Sequence, residues 1–283
     1  MLVFPNCKIN LGLQILNKRE DGYHNLATVF YPVGWKDVVE VVKRDDGRQT
    51  TDHGSEPNSP VTYTSSGLYV TGNPANNLCI KAYNLLKKDF SSLPPVHMHL
   101  HKTIPMGAGL GGGSADGAFT LKLLNDKFQL GLSQEQLMAY ALQLGSDCPF
   151  FILNKPCYAT GRGEVMEPVE LDLSKYQFVI VNPGIHVNTG WAFGQLQLSD
   201  APRPDLRTVI HQPIETWNDH LINDFEAPVS KAHPEIAEIK EELYKAGALY
   251  ASMTGSGSTV FGVFEKNIKL LFSFTTYTVK FLV

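Results

Sequence analysis

The chain has 283 residues, 43% of them hydrophobic and 18% charged, with a formal net charge of -4. This is enough apolar material for one large or two ordinary domains, and it excludes a disordered or fibrous chain. The small negative charge gives no basic field for nucleic acid or an anionic membrane, so neither is an expected partner and an anionic ligand must be held locally.

The four cysteines, Cys7, Cys79, Cys148 and Cys157, lie far apart and form neither a CxxC pair nor a disulfide framework. Reduced thiols fit a cytoplasmic location. The opening "MLVFPNCKIN" has Pro5 and Asn6 where a secretory leader needs an apolar run. No segment stays apolar for the ~18 residues of a membrane span; even "LLFSFTTYTVKFLV" is broken by hydroxyls and Lys280.

In chain order, "KINLGLQIL" and "DVVEVVK" carry the β-branched, period-two bias of strands. The polar stretch from Arg44 to Pro60 reads as a surface loop, and "VTYTSSGLYVTG" resumes strand character. "NNLCIKAYNLLKKDF" places Leu78, Ala82, Leu85 and Leu86 on one helical face. "VHMHLHKTIP" alternates Val96, Met98 and Leu100 against His97, His99 and His101, a strand with one buried face. A helix follows to about Gly131, and another starts at Ser133, with Gln136 completing a capping box and Gly145 as its stop. Beyond "CPFFIL" come a turn at "ATGRGE", a strand in "YQFVIVNPG", a helix in "PEIAEIKEELYKAG", and strands "ALYASM" and "STVFGVFE" around "TGSGS".

Between the histidine strand and the first of the paired helices lies "IPMGAGLGGGSAD", with glycines at 107, 109, 111, 112 and 113. Gly107, Gly109 and Gly112 satisfy GxGxxG, but a second helix follows where a dinucleotide fold needs a strand ending in an acidic residue. Gly107 and Gly112 also frame GxxxxG, yet Gly113 stands where a Walker loop has lysine. What remains is a glycine-rich turn into a helix N-terminus near Ser114, whose amides and dipole suit a phosphate. The competing reading is a tight turn whose glycines merely permit close helix packing.

These residues resemble the phosphate-binding motif of the GHMP kinases, named for galactokinase, homoserine kinase, mevalonate kinase and phosphomevalonate kinase. "PNCKINLGLQILNKREDGYHNLATVF" and "MTGSGSTVFGVF" are similar to further blocks of that family, so the likeness runs from residue 5 to 264. The first block is closest to the branch that phosphorylates a cytidine diphosphate-linked methylerythritol at its 2-hydroxyl in non-mevalonate isoprenoid biosynthesis. The resemblance implies an α+β fold of two domains, with an active site between them. It divides the chain into 1–158, ribosomal protein S5 domain 2-like and ATP-binding, and 159–283, ferredoxin-like. ATP and Mg2+ are the implied cofactors. Where many members have a second serine after the glycines, this chain has Ala115 and Asp116.

By motif position, Lys8 and Asp147 correspond to the catalytic lysine and aspartate. ATP is assigned Pro105, Gly107, Ala108, Gly109, Leu110, Gly111, Gly112, Gly113 and Ser114 along the phosphates, with Ser114 also a candidate Mg2+ contact. Asn77, Leu78 and Lys102 match positions around the adenine, although Lys102 is equally readable as a solvated strand-end lysine. Tyr23, His24 and Phe193 correspond to groups around the cytosine, Asn10 and Thr189 line the same pocket, and Gly255 and Ser256 close beside the substrate phosphates. A plain β-turn remains the other reading of "TGSGS". Three histidines on one strand face lack the partners of a zinc site, and the cysteines beside Lys8 and Asp147 are not needed for transfer to an alcohol. Same-fold kinases for mevalonate or homoserine, and a catalytically silent nucleotide-binding relative, are the alternatives. The oligomeric state stays open, a homodimer included.

Overall fold

Strand periodicity and helix caps in this sequence resolve into elements that can be followed along the chain in a computed structural model. It describes residues 1–44, 59–70, 72–197, 202–266, 268, 274 and 277–282. The polar stretch read as a surface loop lies almost wholly outside them. The elements begin with β1 (Leu2–Val3), β2 (Asn6–Lys18), β3 (His24–Lys36), β4 (Val38–Lys43), β5 (Val61–Gly67), α1 (Leu78–Asp89), β6 (Val96–Lys102) and α2 (Gly112–Phe128). Next come α3 (Gln134–Leu144), α4 (Cys148–Leu153), β7 (Cys157–Thr160), β8 (Val165–Pro168), β9 (Tyr176–Asn182), α5 (Thr189–Gly194) and α6 (Leu206–Val209). The chain continues with α7 (Glu226–Ala232), α8 (Pro234–Lys245), β10 (Tyr250–Met253), β11 (Val260–Glu265) and β12 (Thr278–Leu282). Contacts group these into two compact units.

The first unit comprises Met1–Cys7, Trp35–Met106 and Gly111–Asn154. Its sheet has the order β1-β4-β6-β5, with β4 antiparallel and β5 parallel to β6. Val96, Met98 and Leu100 are buried as the alternation requires, and His97, His99 and His101 face outward to differing degrees. The hydroxyl of Thr64 on β5 meets His99, and that of Ser66 meets both His99 and His101, at 2.7 to 2.9 Å. On α1 the buried residues are Cys79, Ala82, Tyr83 and Leu86, so the face is rotated from the expected one, and Leu78 and Leu85 lie at its margin. Helix α3 carries the capping box between Ser133 and Gln136, with Gly145 as its C-cap. Helix α2 opens at Gly112, two residues before Ser114, and stops at Phe128 because Gln129 turns left-handed with φ 51°.

The second unit comprises Lys8–Gly34, Gly107–Leu110 and Lys155–Val283. One sheet runs β2-β3-β7-β8, and the turn at 161–164 joins the β7/β8 hairpin. The other runs β10-β11-β9-β12 and is antiparallel throughout. Pro234 opens α8, which buries Ile236, Ile239 and Leu243 along one stripe. That stripe packs with Val179, Val181, Ala251, Val260 and Phe264 of the sheet in a single core. Strand β12 occupies part of the stretch after Lys266, for which the sequence reading gave no element: Thr278 pairs with Asn182 and Leu282 with Phe178. No helix among the described residues is long and apolar enough to cross a membrane.

Candidate active site

The glycines divide by what surrounds them. In the second unit, Gly107 and Gly109 are left-handed, at φ 64° and 77°. A Cβ on Gly109 would stand 2.1 Å from the carbonyl oxygen of Thr254, so that glycine exists for close backbone approach. Gly255 meets the same constraint from the other side, with its Cβ position 2.9 Å from Gly109 Cα. In the first unit, Gly111 is the left-handed N-cap of α2, and no side chain caps that helix. A Cβ on Gly112 would collide with Ile104, whereas Gly113 opens on empty space. The packing reading is therefore right for Gly109 and Gly112, while the uncapped first turn of a 17-residue helix beside Gly113 has the donors and dipole an anion needs.

Lys8 and Asn10 both point inward from β2, with 4% and 2% of their surface exposed. Asn10 is a hub. Its Oδ1 accepts from Lys8 Nζ at 2.6 Å, from Gly255 N at 3.0 Å and from Thr254 Oγ1 at 3.1 Å. Its amide nitrogen donates to Thr28 Oγ1, which in turn donates to the Gly12 carbonyl. The Lys8 ammonium also lies 4.8 Å from the Phe30 ring centre. Asn223 donates to the carbonyls of Met253 and Gly255, and Thr254 Oγ1 donates to that of Gly109 at 3.3 Å. Asn10 thus holds Lys8 and the 254–255 turn in fixed register, and the "TGSGS" turn is more than a strand connection.

Thr189 and Ser256 share a hydrogen bond of 2.9 Å between their hydroxyls. His24 stacks directly on Phe193, with ring centres 4.6 Å apart and an interplanar angle of 15°. Burial, helped by the charge of Lys18, pulls the His24 imidazole below its ordinary pKa, which favours the uncharged ring. Tyr23 is 56% exposed, and the Arg162 guanidinium lies 4.9 Å from its ring centre. Among the expected substrate residues three contacting pairs form, Asn10 with Gly255, Thr189 with Ser256 and His24 with Phe193, and Tyr23 lies beside Arg162.

The residues assigned to adenine have their own local work. Asn77 caps α1 through the Cys79 amide and donates to the Tyr63 hydroxyl. Leu78 presses on Gly117, where a Cβ would be 2.8 Å away. Lys102 corrects the solvated alternative: it is 2% exposed, and its ammonium is gripped by Asp37 at 2.5 Å and Asp116 at 2.7 Å. Burial, with the like charge of Asp37, outweighs Lys102 and pushes the Asp116 carboxyl up to about 7.

Asp147 is half-buried at the N-cap of α4, without a capping bond of its own. Its neighbour Cys148 bonds the Ser114 hydroxyl, which brings the first turn of α2 beside the chain at Asp147. Burial raises the thiols of Cys7, Cys148 and Cys157 to about 12, which leaves them protonated and poor nucleophiles. No cluster of three or more His, Cys, Asp or Glu fit to hold a metal occurs among the described residues. A groove of about 500 Å³ lined by Ile222, Asp224, Glu226, Lys240 and Tyr244 contains none of the expected site residues.

The family model described as "GHMP kinases N terminal domain" matches residues 77–155, and "GHMP kinases C terminal" matches 211–271. The 4-diphosphocytidyl-2-C-methyl-D-erythritol kinase of Bacteroides fragilis is 50% identical over 270 residues, covering 95% of this chain and 94% of that one. The chain belongs to the GHMP kinase family. This GHMP kinase is an ATP-dependent phosphotransferase with the two-domain α+β fold of its family. A crystal structure of 4-(cytidine 5'-diphospho)-2C-methyl-D-erythritol kinase superposes with a TM-score of 0.76 at 29% identity, covering 93% of this chain and 90% of that one. Homoserine kinase from Cytophaga hutchinsonii, at TM-score 0.66 and 14% identity, covers 100% of this chain and 94% of its own and shares the fold.

Several residues that tie the backbone together within each unit escaped sequence reasoning. Thr28, Asp37, Asp116 and Asn223 are buried and polar, yet each meets its partner from a distant part of the chain. Only the departure "SAD" at 114–116 carried any signal, and it drew the eye to the lost serine rather than to the acid.

Proposed function

We propose that this kinase transfers the γ-phosphoryl group of ATP to the 2-hydroxyl of 4-diphosphocytidyl-2-C-methyl-D-erythritol, in non-mevalonate isoprenoid precursor biosynthesis. The observation that carries the reading is the 50% identity, over nearly the full length of both chains, to a relative of that name. The uncapped first turn of α2 supports a phosphate site at Gly112, Gly113 and Ser114, where amide donors and the helix dipole oppose the negative charge of the triphosphate. Phosphoryl transfer asks the protein mainly for positioning and for cationic stabilisation. Lys8, fixed by Asn10, supplies a held cation, and Asp147 orients the acceptor hydroxyl and takes its proton. A His24 imidazole shifted toward its uncharged form suits hydrogen bonding to an uncharged base, with Tyr23 and Phe193 as flat apolar surfaces for it.

Mg2+ enters this reading with the nucleotide. Such an ion takes one or two protein oxygens and fills its remaining positions with phosphate and water, so a lone Ser114 hydroxyl fits it without a resident cluster. When bound, it neutralises charge on the phosphates. The reading places ATP in residues 1–158 and gives residues 159–283 to the C-terminal domain, in the cytoplasm. It is tested by incubating the protein with ATP and the cytidyl alcohol and following the product by phosphorus NMR. A new phosphomonoester signal coupled to the tertiary carbon of the alcohol is expected, and ATP hydrolysis without it would contradict the assignment.

A further inference from the structure

Alternation along β6 puts Lys102 on the buried face with Val96, Met98 and Leu100. A buried ammonium has to be paired, and one carboxylate would do. Here there are two, from different places in the first unit. Asp37, between β3 and β4, uses its other oxygen to accept from the Thr103 and Ile104 amides at 2.6 and 2.9 Å, which fixes the exit of β6. Asp116 is the fifth residue of α2; its Oδ2 accepts from Lys102 Nζ at 2.7 Å, and its Oδ1 is buried without a hydrogen-bond partner among the described residues. Lys102 Nζ lies 3.1 Å from the position a Cβ on Gly112 would take, and Ile104 Cγ2 lies 2.9 Å from it. The first residue of α2 therefore rests directly on the lysine, with no room for a methyl group. The lysine backbone is equally constrained: its carbonyl accepts from Leu68 N at 2.8 Å, and a Cβ on Gly67 would stand 2.2 Å away.

We propose that Lys102 is a positioning residue for the nucleotide's phosphates, acting through the first turn of α2 rather than by touching the nucleotide. The proposal rests on the reading of that turn as the phosphate site. Asp116 and Lys102 clamp the second turn of α2 to the end of β6, and Asp37 clamps the end of β6 to the β3–β4 junction. The amides of Gly112, Gly113 and Ser114 are held in place by this clamp because no side chain caps them. Donors preset in this way hold a phosphate more tightly than donors that must be ordered on binding.

The test uses the full chain, as wild type, Asp116→Asn and the double variant Lys102→Met/Asp116→Leu. The double variant exchanges the pair for apolar side chains and leaves Asp37 its backbone donors, a kind of replacement that buried ion pairs tolerate. Binding of ADP and of inorganic tripolyphosphate is measured by calorimetry, with steady-state kinetics alongside. Both dissociation constants should rise by a common factor of about 10, with KM for ATP rising alongside and KM for the alcohol unchanged, as expected for displaced donors. Asp116→Asn is nearly isosteric and carries the test if the double variant does not fold. Weaker ADP binding with unchanged tripolyphosphate binding would mean that Lys102 meets the nucleoside itself and would overturn the proposal. So would a lower Tm with both constants unchanged, the mark of a purely structural pair. Wild-type protein that binds neither probe would instead overturn the phosphate reading of α2, and the proposal with it.

Discussion

Asp147 and Gly109 ask opposite things of a side chain. In the proposed role Asp147 acts through its charge, so Asp147→Asn should leave ADP affinity intact and lower kcat by roughly 100-fold, the usual scale for losing a general base. Steady-state kinetics beside ADP calorimetry checks both halves. Gly109 needs the absence of a side chain. At φ 77°, with Thr254 O in the way at 2.1 Å, Gly109→Ala should cost more than about 1 kcal/mol in a denaturant titration. Gly113→Ala, facing open space, should cost less than that. Tyr23 offers a further contrast, because it is exposed and its ring lies beside Arg162: Tyr23→Ala should raise KM for the cytidyl substrate and leave KM for ATP alone. Equal effects on both would make Tyr23 structural. The glycines could be located in the sequence, but their separate duties could not, since those depend on Thr254 arriving from far along the chain and on Ile104 folding back onto the start of α2.

Elements with local rules were the legible ones. The capping box of α3 and the alternation of β6 both follow from short-range chemistry, and both stand as read. Where burial is set by a neighbour, the reading slipped. The buried face of α1 turned toward Cys79 and Tyr83, which apolar counting had passed over. The alternative reading of Lys102 as a solvated strand end arose because lysine is seldom buried, and its two acidic partners lie 65 and 14 positions away. Strand β12 was invisible for a related reason: its pattern is mixed, and its place is set by pairing along β9. Removing residues 278–282 should uncover the β9 edge and lower the Tm of the chain, with aggregation increasing on heating. A melt unchanged by that truncation would mean β12 adds nothing to the sheet.

Across the whole molecule, the net charge is weakly negative and the four cysteines are buried and form no disulfide. The native thiols should resist alkylation at pH 8, while all four react after unfolding; rapid loss of kinase activity upon modification of the folded protein would contradict this. The fold class and the family were readable from three separated motifs. The hub at Asn10 and the Lys102 cluster were not, because each closes over sequence separations that no short motif spans. The central claim is the acceptor. ADP release, coupled to an optical assay at saturating ATP, should give kcat/KM for 4-diphosphocytidyl-2-C-methyl-D-erythritol at least ~1,000-fold above that for mevalonate or homoserine, the scale on which a site built for polar groups rejects ligands that lack them. Comparable turnover of either simpler alcohol, or no turnover of the cytidyl one, would contradict it.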